Sequence, residues 1–518
     1  MAHVLSPARE VAALDGTPRL MAELFAELGR RGVRYCHWKS NLRLERGLRG
    51  QTDLDLLVAP AHWRGFREIL AAYGARPVRA APGREYPTVE NYLAFDEEAG
   101  ALFHLHVHYR LVLGEQFVKN YVLPLEEQFL SSARPLHGVC VPAPELELVV
   151  LSLRALLKYR ARDVVKDVLK IRHPGVPANI TDEIHWLLAQ TSLERVAACL
   201  DELGALVPGE CVLAFLRTIA ADPRDGRALL RLRGQVRRAL APYQRAGRAR
   251  AMLVYFRELW RRRNRFLRLT PARGMTLPDG GRSLALVGAD GAGKSTMCGQ
   301  LRGWLAGRLD ARVYYLGSKE PSRRSALLYT LFRMARRGHT ELSRALGARS
   351  PLCRALASLR QALLYGHCLS IGLDRYGRYR AGRRLARSGA VAIFDRYPLE
   401  AISERMEHRL LDGPQIPLLA GDDAGPLARA LGAAERWLYR RMLPPDHLFV
   451  LDVSPEVSLR RKPDHRREAV QAKSRALRAL EAAGGPGGRP FELVRLSADR
   501  PLDEVLAELK AHVWRVIA

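Results

Sequence analysis

The chain has 518 residues and a net charge of +29, from 83 basic and 54 acidic side chains. That length is too great for one ordinary domain and implies two or three, and with 48% hydrophobic and 26% charged residues a globally disordered protein is excluded. Only 10 of the basic residues are Lys, the other 73 being Arg spread through Ala-rich helical sequence without interleaved aromatics, so a nucleic-acid partner is not expected and anionic small substrates suit the charge equally well.

Residues 1–141 mix strand and helix patterns. GVRYCHWKS and TDLDLLVA read as short strands, and ALFHLHVHYRLVL alternates strongly. Asp53 and Asp55 stand at i, i+2, which on a strand puts both carboxylates on one face. Two carboxylates pointing together repel unless a cation sits between them, so the pair suits a divalent metal. His104, His106 and His108 share one strand face, either as a transition-metal site or as a packed polar surface. Lys39-Ser40, before the paired aspartates, offers a phosphate contact.

Residues 142–269 read as helical, with Thr181 and Ser192 as candidate caps. Lys158, Asp163, Lys166 and Asp167 have helix-stabilising spacings. The stretch 231–268 is very basic, with Glu258 its only acid, and its RELWRRRNRFL helix suits docking between domains or against a membrane surface. Residues 270–283, TPARGMTLPDGGRS, are rich in Pro and Gly and read as a linker.

From residue 284 to 518 strands and helices alternate, which predicts a parallel α/β sheet. The apolar strand Leu284–Val287 runs into Gly288-Ala289-Asp290-Gly291-Ala292-Gly293-Lys294-Ser295-Thr296, and a helix pattern follows. This is GxxxxGK[ST] in its required strand–loop–helix context. Glycines let the backbone wrap a phosphate, Lys294 reaches the β- and γ-phosphates of ATP, and the Ser295 hydroxyl ligates Mg²⁺. Gly288, Asp290, Gly291, Ala292, Gly293, Lys294, Ser295 and Thr296 are therefore the candidate cofactor contacts. Further strands are predicted at 311–317, 391–396, 447–453 and 491–497. Asp395 ends one of them, where open α/β sheets place ligand sites. It would hold the metal or take a proton, with Arg396 clamping a phosphate, unless the two form an ordinary turn pair. Arg460, Arg461, Lys462, Arg466 and Arg467 form a basic cluster that reads equally as a closing lid or as a solvated helix end.

The region from about 280 to the end resembles the thymidylate kinase family of P-loop nucleoside-monophosphate kinases. GADGAGKST, the DRY at 395–397, PPDHLFVLDVSPEVSLRR and the closing PLDEVLAELKAHVWRVI carry the likeness. The resemblance implies transfer of the ATP γ-phosphate to a monophosphate such as dTMP. Asp290 would contact the acceptor's sugar, Arg396 its phosphate, and Arg460 with its neighbours the charge on the transferring group. Two departures stand out: PLEAISERMEHRLLDGPQIP follows DRY in place of the usual thymine-reading stretch, and extra helical sequence occupies about 321–385 and 401–440. Asp374-Arg375 is a further, surface-pair-like candidate.

Residues of about 20–170 resemble the nucleotidyltransferase-like fold related to polymerase beta, with Asp53 and Asp55 as its DxD and His106 where a third acid is expected. Hard Mg²⁺ prefers oxygen ligands, so active transferase and binding or degenerate domain both stay open. The expected fold is α/β: a C-terminal P-loop kinase with a parallel sheet, and an N-terminal α+β nucleotidyltransferase-like domain followed by a helical region. The expected activity is an ATP- and Mg²⁺-dependent nucleoside monophosphate kinase. Alternatives are a kinase for another phosphorylated or sugar acceptor coupled to the N-terminal half, and a non-catalytic ATP-dependent switch.

No uncharged apolar run approaches the roughly 18 residues that span a bilayer, and the first residues lack a signal peptide's apolar stretch. The seven cysteines (36, 140, 199, 211, 298, 353 and 368) are scattered, with no CxxC pair. A cytoplasmic protein with a small-molecule nucleotide acceptor is expected, and a homodimer is left open.

Overall fold

The computed structural model describes residues 16–81, 84–86, 88–115, 118–159, 176–263, 272–347, 349–398, 413–421, 424–463, 467–480 and 491–517. The chain divides into two compact units, one of residues 1–269 with Ala518 and the other of residues 270–517. Asp163, Lys166, Asp167, Arg466 and most of the stretch after DRY lie outside the described residues.

In the first unit β1 (Tyr35–His37), β2 (Leu54–Val58), β3 (Arg76–Val78), β4 (Val89–Asp96) and β5 (Ala101–His108) form a mixed sheet in the order β1-β2-β5-β4-β3. Only the central β2–β5 pair is parallel, and its register sets Asp55 opposite His106 and Leu57 opposite His108. Alternation decides which face is which. Leu54, Leu56, Val58, Phe103, Leu105 and Val107 belong to a core shared with helices Arg19–Arg30 and Trp63–Ala72, so Asp55 and the histidines must face the other way.

That second face is covered by helical sequence. Helix Pro144–Lys158 buries thirteen of its fifteen residues. It packs among helices Ala178–Leu188, Leu193–Leu203, Gly209–Ala221 and Gly226–Ala239. Their core includes Cys36, Trp38 and Leu57, together with Leu111 and Leu123 from hairpin β6 (Leu111–Leu113) and β7 (Tyr121–Leu123). A second hairpin joins β8 (Arg134–Leu136) and β9 (Val139–Val141). These helices therefore complete the core of this unit. Ser192 caps its helix by accepting the Arg195 N–H. Thr181 does not cap: it lies inside helix Ala178–Leu188, and its hydroxyl donates to the Ala178 carbonyl at 2.9 Å.

In the second unit β10 (Arg282–Gly288), β11 (Ala311–Tyr315), β12 (Val391–Asp395), β13 (His447–Asp452) and β14 (Glu492–Ser497) form an all-parallel sheet ordered β11-β12-β10-β13-β14. The three central strands are continuous apolar runs, as a sheet covered on both faces requires. The extra sequence at 321–385 forms two long helices, Arg323–Leu346 and Pro351–Arg387, packed against each other. Among the described residues no helix is long and apolar enough to cross a membrane.

The segment read as a linker is fastened to this sheet. The Leu277 and Gly281 amides donate to the Gly389 and Ala386 carbonyls at 2.8 and 2.9 Å, the Met275 carbonyl accepts from the Asp310 amide at 2.8 Å, and Ala272 and Leu277 are buried.

Candidate functional site

Strand β10 ends at Gly288, and helix Lys294–Leu305 begins after five loop residues. Gly291 and Gly293 both have left-handed backbones, with φ of 89° and 84°. A Cβ on Gly291 would stand 3.0 Å from the Ser458 carbonyl, so the loop needs glycine there on two counts. The Ser458 hydroxyl donates to the Asp290 carbonyl, tying the loop to helix Pro455–Arg461. Lys294 is buried, and its Nζ donates to the Gly288 and Ala289 carbonyls at 2.9 and 2.7 Å. Burial, assisted by the positive charges of Lys473 and Arg396, lowers its pKa to about 8.

The parallel register sets Asp395 beside Leu286 on one side and Tyr315 on the other. The Ser295 hydroxyl donates to Asp395 Oδ2 at 2.6 Å. Asp395 is buried, and among the described residues its Oδ1 has no hydrogen-bond partner, nor have the buried Arg396 Nε and Tyr315 hydroxyl. Three unsatisfied polar atoms at the ends of adjacent strands are costly unless a ligand completes them. A hard cation beside Ser295 and Asp395 fits this donor set, because Oδ1 is an oxygen ligand with nothing else to bind. Arg396 has a left-handed φ of 64°, rare for a side chain of its size, and strain of this kind concentrates at functional sites. Its guanidinium stands 3.5 Å from Asp290 Oδ1 and 5.9 Å from the Tyr315 ring centre. Gly317 makes room for it: a Cβ there would stand 2.8 Å from Arg396 Cδ.

The structure therefore brings together Gly288, Asp290, Gly291, Ala292, Gly293, Lys294, Ser295, Asp395 and Arg396. Thr296 is exposed on the first turn of the helix. Arg460 is not gathered in: it is exposed on helix Pro455–Arg461 and has no hydrogen-bond or ion-pair partner among the described residues. Its helix turns Ser458 inward instead, and the next helix, Arg467–Arg478, sends Lys473 to within 3.5 Å of Asp290 Oδ2. Lys473 lies six residues beyond the basic cluster noted in the sequence, which did not single it out. Asp374 and Arg375 are structural. Asp374 accepts from Ser322 N and Ser325 Oγ, and buried Arg375 donates to the Tyr439 hydroxyl at 2.5 Å.

In the first unit the paired aspartates do not converge on one cation. Asp53 precedes β2, is half exposed, and pairs with His104 Nδ1 at 3.0 Å. Asp55 Oδ1 lies 2.6 Å from Lys39 Nζ and 2.8 Å from His106 Nδ1, with His108 Nε2 at 3.7 Å. The expectation of a shared Asp53–Asp55 metal is thus corrected, because the Lys39 ammonium already answers the Asp55 charge. Burial alone would raise the Asp55 carboxyl; Lys39 and the His106 hydrogen bond, with His108 nearby, outweigh it and hold the group well below the usual carboxylate range. Asp55, His106 and His108 present ligand atoms within 4.8 Å of one another, a grouping that leaves Asp53 out.

No family model matches the chain. Two similar proteins come from Escherichia coli K12. "Uncharacterized ATP-binding protein YghR" is 28% identical over 237 residues, which is 44% of this chain and 86% of the relative. "Uncharacterized ATP-binding protein YghS" is 28% identical over 236 residues, 44% of this chain and 92% of the relative. A solved deoxyadenosine kinase from M. mycoides with bound dCTP aligns with 45% of this chain and 98% of its own at 14% identity, with a TM-score of 0.26.

Proposed function

We propose that the 270–517 unit is an ATP- and Mg²⁺-dependent phosphotransferase of the thymidylate-kinase type, acting on a small nucleotide acceptor, with dTMP the first acceptor to try. The observation that carries this reading is the 2.6 Å Ser295–Asp395 hydrogen bond with the unpartnered Asp395 Oδ1, set beside Lys294 at a glycine-rich helix N-terminus. The ATP-binding descriptions of the two relatives agree with it.

In this reading the loop amides and Lys294 hold the β- and γ-phosphates, and Lys294 exchanges two carbonyl acceptors for anionic oxygens. Ser295 and Asp395 hold Mg²⁺, which supplies charge neutralisation on those phosphates when bound. Arg396 binds the acceptor's phosphate, and its strained backbone keeps the guanidinium aimed along the strand ends. Asp290, between Arg396 and Lys473, meets the acceptor's sugar and offsets the repulsion between the two cations. Lys473 takes the transition-state role that the sequence assigned to Arg460. Catalysis then comes from positioning and charge neutralisation, with little covalent work for the protein.

A screen of nucleoside monophosphates with ATP and Mg²⁺, reading ADP release, tests the proposal. Turnover of dTMP supports it, turnover with other acceptors alone moves the specificity, and slow hydrolysis indifferent to every acceptor replaces it with an ATP-dependent switch. For the first unit, His106 at the third acidic position and Lys39 on Asp55 favour a binding role over two-metal nucleotidyl transfer.

A further inference from the structure

The sheet face that carries Asp55 gathers more positive charge than its carboxylates answer. Lys39 is paired with Asp55, and its Nζ lies 4.7 Å from the Trp38 ring centre. The Arg154 guanidinium lies 5.5 Å from the same ring. Lys158 follows Arg154 by one turn on helix Pro144–Lys158, and Lys119 stands 4.2 Å from the Tyr86 ring centre. Among the described residues Arg154, Lys119 and Lys158 have no carboxylate within ion-pair distance. Nearby acids are engaged elsewhere. Asp53 pairs with His104, Glu147 accepts both the amide and the side-chain N–H of Asn41, and Glu183 accepts the Ser40 amide.

The cations act on one another. Burial first, then Lys39, Lys158 and Arg154, bring Lys119 down to about 7 against a partial offset from Asp55. Lys158 is exposed at the end of its helix, one turn from Arg154, which leaves its ammonium open to a ligand. The buried Trp38 Nε1 donor has no partner among the described residues, and the Trp38 ring meets His108 edge to face at 5.1 Å. A crowd of ammonium and guanidinium groups repels a divalent cation. It suits an oxyanion, which would pair the cations and accept from the unused Trp38 N–H.

We propose that Lys39, Arg154, Lys119 and Lys158 form a binding site for a phosphate group, free or carried on a small organic molecule, that fills without a divalent metal. Lys39 does at Asp55 what a metal would otherwise do, and the other three cations grip the anion. The site is separate from the glycine-rich loop and stands whether or not the second unit is a kinase.

Titration calorimetry on the full chain in EDTA tests it, with inorganic phosphate, pyrophosphate and glucose 1-phosphate as probes. The Lys294→Ala background removes the contribution of the loop. One probe or more should bind at one site per chain, and Mg²⁺ should not strengthen it. Lys119→Ala/Lys158→Ala should weaken that binding by about tenfold or more, and Lys119→Arg/Lys158→Arg should restore it, with thermal unfolding confirming that each variant folds. Tighter binding of glucose 1-phosphate than of inorganic phosphate assigns the anion to an organic ligand, and the reverse order to free phosphate. The proposal is overturned if no probe binds in the Lys294→Ala background, or if the double alanine variant binds as well as its parent. Stoichiometric Mn²⁺ or Zn²⁺ binding that Asp55→Asn abolishes would also overturn it.

Discussion

Lys294 ties phosphate binding to proton uptake. Its pKa stands near 8 against an ordinary 10.5, because burial and the neighbouring Lys473 and Arg396 outweigh the opposing pull of Asp290 and Asp395. At 1.36 kcal/mol per unit, holding the charge costs about 3 kcal/mol. The unfolded chain binds more protons than the folded one between pH 8 and 10.5, so this residue makes the protein more stable as pH rises through that window. A triphosphate against Nζ reverses the balance and lifts the pKa back toward its ordinary value. From about half a proton at pH 8, the uptake per ATP bound rises toward one at higher pH, and affinity should fall toward about tenfold per pH unit, or about fifteenfold between pH 8 and 9.5. Calorimetry in buffers of differing ionisation enthalpy reads the proton count directly. Lys294→Met should bind weakly and without this slope. A wild-type affinity that stays flat from pH 7 to 9.5 would refute the burial argument.

Asp395→Asn should lower Mg²⁺-dependent turnover by about 10–100-fold while leaving thermal unfolding nearly unchanged, as read by ADP release across a Mg²⁺ series. Gly291→Ala forces a side chain to φ 89° against the Ser458 carbonyl. It should cost about 1–2 kcal/mol, seen as a fall of about 2–8 °C in the unfolding transition of that unit together with weaker ATP binding. Asp55→Asn leaves the largely buried Lys39 without its counterion and should cost about 2–4 kcal/mol in urea titrations. Because the Asp55 carboxyl is held low, its contribution is present above the ordinary carboxylate pKa and is lost as pH falls through that range and below; the Asn variant should lack that acid-side loss.

The second unit was the more legible half because its chemistry is local. Five predicted strands appear within a residue or two of their expected ends, and the three central, buried ones are written as unbroken apolar runs. The loop, Ser295 and Asp395 follow from a motif and a strand end. Lys473 and Ser458 reach the loop only because β13 lies beside β10, which no local pattern states. Around Asp55 the alternation of β5 correctly gave a shared histidine face, but not which neighbour the carboxylate would choose. Lys39 arrives from the turn after β1, and Arg154, Lys119 and Lys158 from a helix and a hairpin more than sixty residues away in sequence. Strand β4 went unread because VENYLAFD mixes charge into a strand that is paired on both sides.

The anchoring of residues 272–281 decides where this chain can be divided. Ala272 closes a small apolar nest with Leu385 and Ala390. A fragment begun at Leu284 would strip that nest bare and release the two carbonyls that the Leu277 and Gly281 amides satisfy. Such a truncation should aggregate or melt early, whereas one begun at Thr270 keeps the clasp intact and is the piece to express.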